Sequence, residues 1–373
     1  MERHKCGRGL HMGRKRTLRI RINPRKPERG SIRRAARIIM DGGIVGFPTE
    51  TVYGLGANAL DAKAVGKIFT AKDRPFDDPL IVHVCRMGQV YGLVKKVTLD
   101  AKVLMEKFWP GALTIILEKS PLVPQVTTAG LSSVAIRMPS HKIARMLIEE
   151  AKVPIAAPSA NTFGKPSPTN AQHVLDDLDG KIDCVIDGGD ASIGVESTVI
   201  DMTGTVPVVL RPGGISVEEI SKAIGKVRVH HAVGKNAGKR NAEKLKKFTA
   251  KSPGMKYRHY APRAEVILVE GRPARVMEKI GKLVKENRSK KIGLLLADSE
   301  KNAIPGLELM HGDVMVEYLG GGAQNAAKNL FRSLRKFDTE KVGLVIAQGI
   351  AEKGMGLAVM NRLRRAAGRV VRV

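Results

Sequence analysis

The sequence predicts an α/β protein in two parts: a twisted mixed sheet flanked by helices, followed by a small Rossmann-like parallel α/β domain. Three observations carry this. The chain has 373 residues, more than one hydrophobic core usually serves, and 43% of them are hydrophobic, enough for two cores. Short apolar runs alternate with amphipathic helical patterns over the first half. After a basic stretch the alternation restarts at residue 264. The expected divisions are a basic, disordered extension over 1–27, a first domain over 28–215, a helix and linker over 216–262, and a second domain over 263–373.

In the first domain, SIRRAARIIMDGG at 31–43 reads as an amphipathic helix ended by glycines. Strands follow near 44–48, 80–84, 112–118 and 134–138, with helices near 99–108, 141–151 and 170–178. Strands at 182–187, 197–202 and 206–211 have no helix between them, so the sheet is expected to be mixed and not doubly wound. SVEE at 216–219 is a capping-box pattern that opens a helix to about 224. In the second domain AEVILVE, a helix to about 286, KIGLLLA, a strand near 312–317, a helix over 322–337, VGLVIAQ and LAVMNRLRRAAG alternate as a parallel sheet requires.

Four segments place polar groups where an apolar frame ends. IVGFP at 44–48 reads as a buried strand, and the hydroxyl-rich TETVYGLG after it as a donor-bearing loop leaving the sheet. Asp61 then caps a helix with Ala64, Val65, Ile68 and Phe69 on one face, which delivers Lys72 and Arg74 to its end before Pro75. Two such cations suit different oxygens of one polyphosphate, or are simply a solvated helix end. Ile155–Ala157 is a second buried run, ending in Pro158, Ser159, Ala160 and Asn161 at a strand end, where ligands sit in open α/β sheets. DGGDASIGVESTVID at 187–201 is either an anion nest or an ordinary glycine-bearing hairpin loop. VAIRMP and VVLRPG each put an arginine, Arg137 and Arg211, at the end of an apolar strand, where it needs an anionic ligand or a structural ion pair.

Composition narrows the class. No apolar run is long enough to span a bilayer and no leader pattern opens the chain, so a cytoplasmic protein with no membrane partner is expected. Cys6, Cys85 and Cys184 have neither metal-ligand nor disulfide spacing and are expected as free thiols. No Gly-Lys is followed by Ser or Thr and there is no G-x-G-x-x-G, which disfavours P-loop hydrolysis and dinucleotide binding. The net charge is +28, with fourteen Lys or Arg against two Glu over Met1–Arg37 and seven basic residues against Glu243 over Lys235–Lys251. Such a balance fits weak, salt-dependent tRNA contact or the charged surface of a heat-adapted protein. Aromatics are 4%, too few to support stacking on single strands. Met12 offers a second start.

The order TETVYGLG, Lys72-x-Arg74, PLIVHV, WPGALT, VAIRMP, Ser159-x-Asn161 with GKPSPT, GVESTVID and LRPG resembles YrdC-like domains. With the linker and second domain, and SPGMKYRHYAP at 252–262, the chain resembles the long-form threonylcarbamoyl-AMP synthases. The resemblance implies a YrdC-like first domain and a nucleotidyltransferase. Such an enzyme joins L-threonine, bicarbonate or CO2, and ATP into threonylcarbamoyl-AMP with release of pyrophosphate, and a downstream threonylcarbamoyl transferase passes the group to tRNA. It implies Thr51, His83, Arg137, Ala157 and Ser197 around L-threonine, and Lys72, Arg74, Asp78, Ser133, Ser159, Asn161, Ser167 and Arg211 around ATP, with no protein nucleophile. Asp78 departs from the family's Asn, and His83 without the family reads as a core histidine. SPGMKYRHYAP is expected to fold over the site as a lid, with Tyr257 or Tyr260 on the nucleotide. Mg2+ is expected with ATP, held by phosphates and waters. The rival readings are a non-catalytic tRNA- or dsRNA-binding protein, and a hydrogenase-maturation carbamoyl-adenylate enzyme whose zinc-finger cysteines this chain lacks.

Overall fold

The computed structural model describes residues 16–233, 251–252, 259–298 and 313–373. The first domain runs β1 (Leu18–Arg21), α1 (Arg29–Met40), β2 (Val45–Phe47), β3 (Gly54–Asn58), α2 (Ala62–Lys72), β4 (Ile81–His83), α3 (Met87–Leu93), α4 (Leu99–Phe108), β5 (Leu113–Glu118), β6 (Ser133–Arg137), α5 (Lys142–Ala151), β7 (Ile155–Ala156), α6 (Ala171–Leu178), β8 (Cys184–Asp187), β9 (Thr198–Asp201), β10 (Val208–Arg211), α7 (Val217–Ile224) and β11 (Arg228–Val229). The second continues with β12 (Glu265–Glu270), α8 (Pro273–Glu286), β13 (Ile292–Leu296), β14 (Val314–Tyr318), α9 (Gly322–Thr339), β15 (Leu344–Gln348), α10 (Gly356–Ala366) and β16 (Arg369–Arg372).

The local chemistry explains the boundaries. Asp61 caps α2 by accepting from the amides of Lys63 and Ala64, and Asp73 ends it in a left-handed conformation. Ser216 and Glu219 form both halves of the capping box of α7. In α1 the buried residues Ile32, Ala35, Ala36 and Ile39 recur at helical spacing, so that face packs on α5 while arginines face solvent.

The strands of the first domain form a mixed sheet in the order β1-β8-β2-β3-β7-β4-β6-β5-β9-β10-β11. Those of the second form an all-parallel sheet in the order β14-β13-β15-β12-β16. Two expectations are corrected. Residues 18–21 belong to no disordered extension: they are an edge strand parallel to β8, and Asp187 there meets Arg19 at 2.7 Å. TETVYGLG does not leave the sheet throughout, because Gly54–Asn58 returns as β3, antiparallel to β2. Glycine hid that strand, yet a Cβ at Gly56 would meet Ile155 at 2.6 Å and Phe47 at 2.8 Å, so close packing selects glycine there. The basic stretch over 235–250 lies outside the described residues.

The sheet delivers its functional ends to one edge. β4 and β6 are parallel with His83 opposite Arg137, and β5 runs antiparallel to β6 and parallel to β9, with Leu113 opposite Thr198. The C-terminal ends of β4, β6 and β10 therefore lie together with the starts of β7, which runs antiparallel to β4, and of β9. The second domain packs against this edge: Val52 and Val195 share one buried cluster with Tyr260, Phe331 and Leu363.

Candidate active site

A narrow cleft lined by polar and charged side chains opens at this edge. Of the residues expected from sequence, Thr51, His83, Arg137, Ala157 and Ser197 line it, as do Arg74, Ser159, Arg211 and Tyr260. Thr49, Tyr53, Glu196 and His259 line it as well, and sequence reasoning gave none of them a role.

Arg137 is anchored by three hydrogen bonds. Its guanidinium donates to Glu50 Oε1 at 2.6 Å, to Thr51 Oγ1 at 2.8 Å and to the Gly111 carbonyl at 3.2 Å. Burial alone would raise the Glu50 carboxyl, but the Arg137 charge and hydrogen bond hold it below its ordinary value. The structural ion pair left open from sequence is therefore present at Arg137. Arg211 differs: it donates to the carbonyl and the hydroxyl of Ser197, both at 3.2 Å, and that hydroxyl also meets Thr114 Oγ1 at 2.7 Å. Burial lowers the Arg211 value.

His83 is buried, with Nδ1 3.2 Å from the Ile81 carbonyl. Burial, aided by Arg137, pushes its pKa down to about 3, so the ring is neutral at physiological pH and serves as a hydrogen-bonding group. His259 is likewise held well below its usual value by burial and by Arg74.

Lys72 and Arg74 do not act as two equivalent prongs. Arg74 reaches the cleft; Lys72 is buried, and its ammonium donates to the carbonyls of Ser159 and Asn161. Burial and then repulsion from Arg74 depress its pKa well below the ordinary lysine value. Lys72 thus fixes the Ser159–Asn161 turn against the end of α2. Arg74 lies 2.9 Å from Asp78, and burial raises the Asp78 pKa even so. The Asn161 amide donates to the carbonyls of Thr162 and Lys165, and Ser167 donates to Glu196 at 2.6 Å. Ser133 stands at the opposite end of β6 from Arg137, roughly 13 Å along the strand, and does not line the cleft. Tyr257 lies outside the described residues. Tyr260 is buried between the domains, stacked on Phe331 with ring centroids 5.2 Å apart, and takes a left-handed φ of 67°.

Glu50 and Glu196 were legible as letters within TETVYG and GVEST but not as charges with partners. A carboxylate set among hydroxyls in an apolar frame needs a cation, and each cation here comes from a distant segment. Cys85 and Cys184 are free thiols, as expected; burial pushes Cys184 up to about 12. Among the described residues no helix is long and apolar enough to cross a membrane.

A mixed sheet whose strand ends converge arginines, hydroxyls and a neutral histidine on one cleft, closed from behind by a parallel-sheet domain, defines a YrdC-like ligand-binding enzyme with an accessory domain. Comparison with known proteins narrows this. A family model described as "Telomere recombination", covering Sua5, YciO and YrdC, matches residues 37–213, and one described as "Threonylcarbamoyl-AMP synthase, C-terminal domain" matches residues 215–368. The threonylcarbamoyl-AMP synthase of Pyrococcus abyssi is 51% identical over 361 residues, covering 95% of this chain and 100% of that protein. That of Bacillus subtilis is 46% identical over 346 residues, covering 91% and 94%. The crystal structure of P. abyssi Sua5 complexed with L-threonine superposes with a TM-score of 0.87 at 51% identity, covering 96% of this chain and 100% of that one. The chain belongs to the threonylcarbamoyl-AMP synthase family.

Proposed function

We propose that this protein makes L-threonylcarbamoyl-AMP, and that the convergence of Arg137, His83, Thr51 and Ser197 on one cleft edge beside Arg74 and Arg211 is the observation that carries the assignment of its site. In the reaction the bicarbonate carbon becomes bonded to the threonine nitrogen with loss of water. A carbamate oxygen then bonds to the α-phosphorus of ATP, and pyrophosphate leaves. The carbamate is anionic and loses CO2 readily, so the protein must hold it against the phosphate and exclude bulk water. No side chain need become covalently attached; positioning and charge stabilisation carry the step.

Arg137, held by Glu50 and Thr51, faces the threonine carboxylate, while neutral His83, Thr51, Ser197 and the Ala157 backbone fix the rest of the amino acid. Arg74, Ser159, Arg211 and Tyr260 face the nucleotide. Lys72, Asp78, Asn161 and Ser167 shape that wall from behind. His259 and Tyr260 place the end of the linker against the cleft, whereas residues 253–258, on which most of the expected lid falls, lie outside the described residues. Magnesium would accompany the triphosphate, with phosphate oxygens and water as its ligands. When bound with ATP, it would shield charge on the leaving pyrophosphate. The product passes to a downstream transferase acting on tRNA, and the net charge of +28 supports a weak, salt-dependent tRNA contact.

The test is pyrophosphate release from ATP with bicarbonate, with and without L-threonine, alongside Lys72→Ala. Threonine-dependent release that falls in the variant is expected. No threonine dependence in folded wild-type protein sinks the reading.

A further inference from the structure

The accessory domain does more than cover the catalytic one. α10 inserts Arg362 into the protein with no exposed surface, on the far side of the cleft wall formed by Ser197 and Arg211. Its Nε donates to Glu196 Oε2 at 3.0 Å, and its Nη2 lies 2.9 Å from the same oxygen. Its Nη1 donates to the Pro212 carbonyl at 2.5 Å and to Asn361 Oδ1 at 3.3 Å. The other Glu196 oxygen takes the Ser167 hydroxyl at 2.6 Å. One guanidinium therefore grips the residue before Ser197 and the residue after Arg211, and those two wall residues hydrogen-bond to each other.

Two further features make this grip specific. Gly194, two residues before Glu196, lies directly under α9: a Cβ there would stand 2.4 Å from Lys328 Cα and 2.5 Å from the Ala327 carbonyl oxygen. Gly213 is equally tight on the other side, where a Cβ would stand 2.3 Å from the Glu196 carbonyl oxygen. The loop carrying Ser197 is thus pressed from above by α9 and pinned from behind by Arg362. A buried ion pair adds little net stability over an apolar replacement, so its clearer use is to fix geometry.

We infer that Arg362 is a positioning residue of the active site: through Glu196 and the Pro212 carbonyl it sets the separation of Ser197 and Arg211, and with them the affinity for L-threonine. This rests on the reading of the site given above. The guanidinium fork is essential to the role, because a lysine ammonium cannot meet Glu196 and Pro212 in the same planar geometry.

The experiment is L-threonine binding by calorimetry to the full chain, wild type against Arg362→Met, Arg362→Lys and Arg362→Met combined with Glu196→Gln, with thermal unfolding recorded for each. Misplacement of the wall predicts a Kd for L-threonine raised on the order of tenfold to a hundredfold in Arg362→Met, with a smaller rise in Arg362→Lys. The double variant is expected to recover stability without recovering affinity. A purely structural role lowers the unfolding temperature and the number of competent sites while leaving Kd unchanged. Should Arg362→Met not fold, Arg362→Lys decides alone. A Kd within twofold of wild type in every folded variant overturns the role of Arg362, whereas absence of L-threonine binding by the wild-type protein overturns the reading of the site itself.

Discussion

Replacing Arg137 by methionine separates what the Glu50–Arg137 pair does for stability from what it does for binding. Both side chains are buried, at 8% and 4% exposure, and 2.6 Å apart. Removing the cation leaves the Glu50 carboxylate in an apolar frame, and breaking a buried pair in this way costs about 3–5 kcal/mol. With a urea dependence of roughly 3 kcal/mol per M, the catalytic domain should unfold about 1–2 M earlier. In the variant Glu50 has a pKa raised above its unfolded value, so the deficit is largest near neutrality and shrinks as pH falls through that raised value. Adding Glu50→Gln removes the uncompensated charge, and the double variant should recover about 0.5–3 kcal/mol by non-additivity. L-threonine binding should stay lost in both, because the guanidinium proposed to face the ligand is missing in both. Urea denaturation and calorimetry on the two single variants and the double one measure all of this. Strict additivity of the stability losses, or L-threonine binding restored in the double variant, would refute the reasoning.

Gly213→Ala places a Cβ 2.3 Å from backbone atoms of Glu196, Ser197 and Thr198, none of which can swing aside. It should cost about 1–3 kcal/mol and weaken L-threonine binding, both measurable on purified protein. His83 binds its proton far less readily folded, at about pH 3, than unfolded, so it subtracts stability as pH falls from about 6.5 toward 3 and contributes nothing above that range. His83→Asn should flatten the acid limb of an unfolding-versus-pH curve, and an unchanged limb would contradict a neutral, buried ring. Tyr260→Ala removes the stack on Phe331 and should raise KM for ATP more than it lowers thermal stability; Tyr257→Ala in the same assay decides which tyrosine matters.

Much of the architecture could be read from the chain because its signals are local. The Ser216–Glu219 box, the Asp61 cap and the apolar face of α1 depend on residues within a turn or two of each other. β3 was hidden because GLGAN carries glycines where a strand usually carries branched residues, and the reason for glycine is the approach of Phe47 and Ile155. β1 was hidden by its alternating arginines, which make sense only once Asp187 of β8 lies beside them.

The site divides in the same way. Strand-end residues such as Arg137, Ser159 and Arg211 were legible because each ends an apolar run, whereas His83, inside LIVHV, was legible only through the family resemblance. The roles of Glu50, Glu196 and Lys72 were not, since each is defined by a partner far along the chain: Arg137, Arg362, and the Ser159 and Asn161 carbonyls. In LAVMNRLRRAAG nothing local distinguishes Arg362, which is buried against Glu196, from Arg365, which is half-buried on the same helix.

The central claim, that this cleft joins L-threonine, a one-carbon acid and an adenylate, is tested most directly by incubating the protein with ATP, L-threonine and 13C-labelled bicarbonate and examining the adenylates by mass spectrometry. The account predicts one adenylate carrying threonine and a single 13C, appearing together with pyrophosphate and absent when threonine is withheld. An adenylate without the label, or ATP consumption indifferent to threonine, would contradict it.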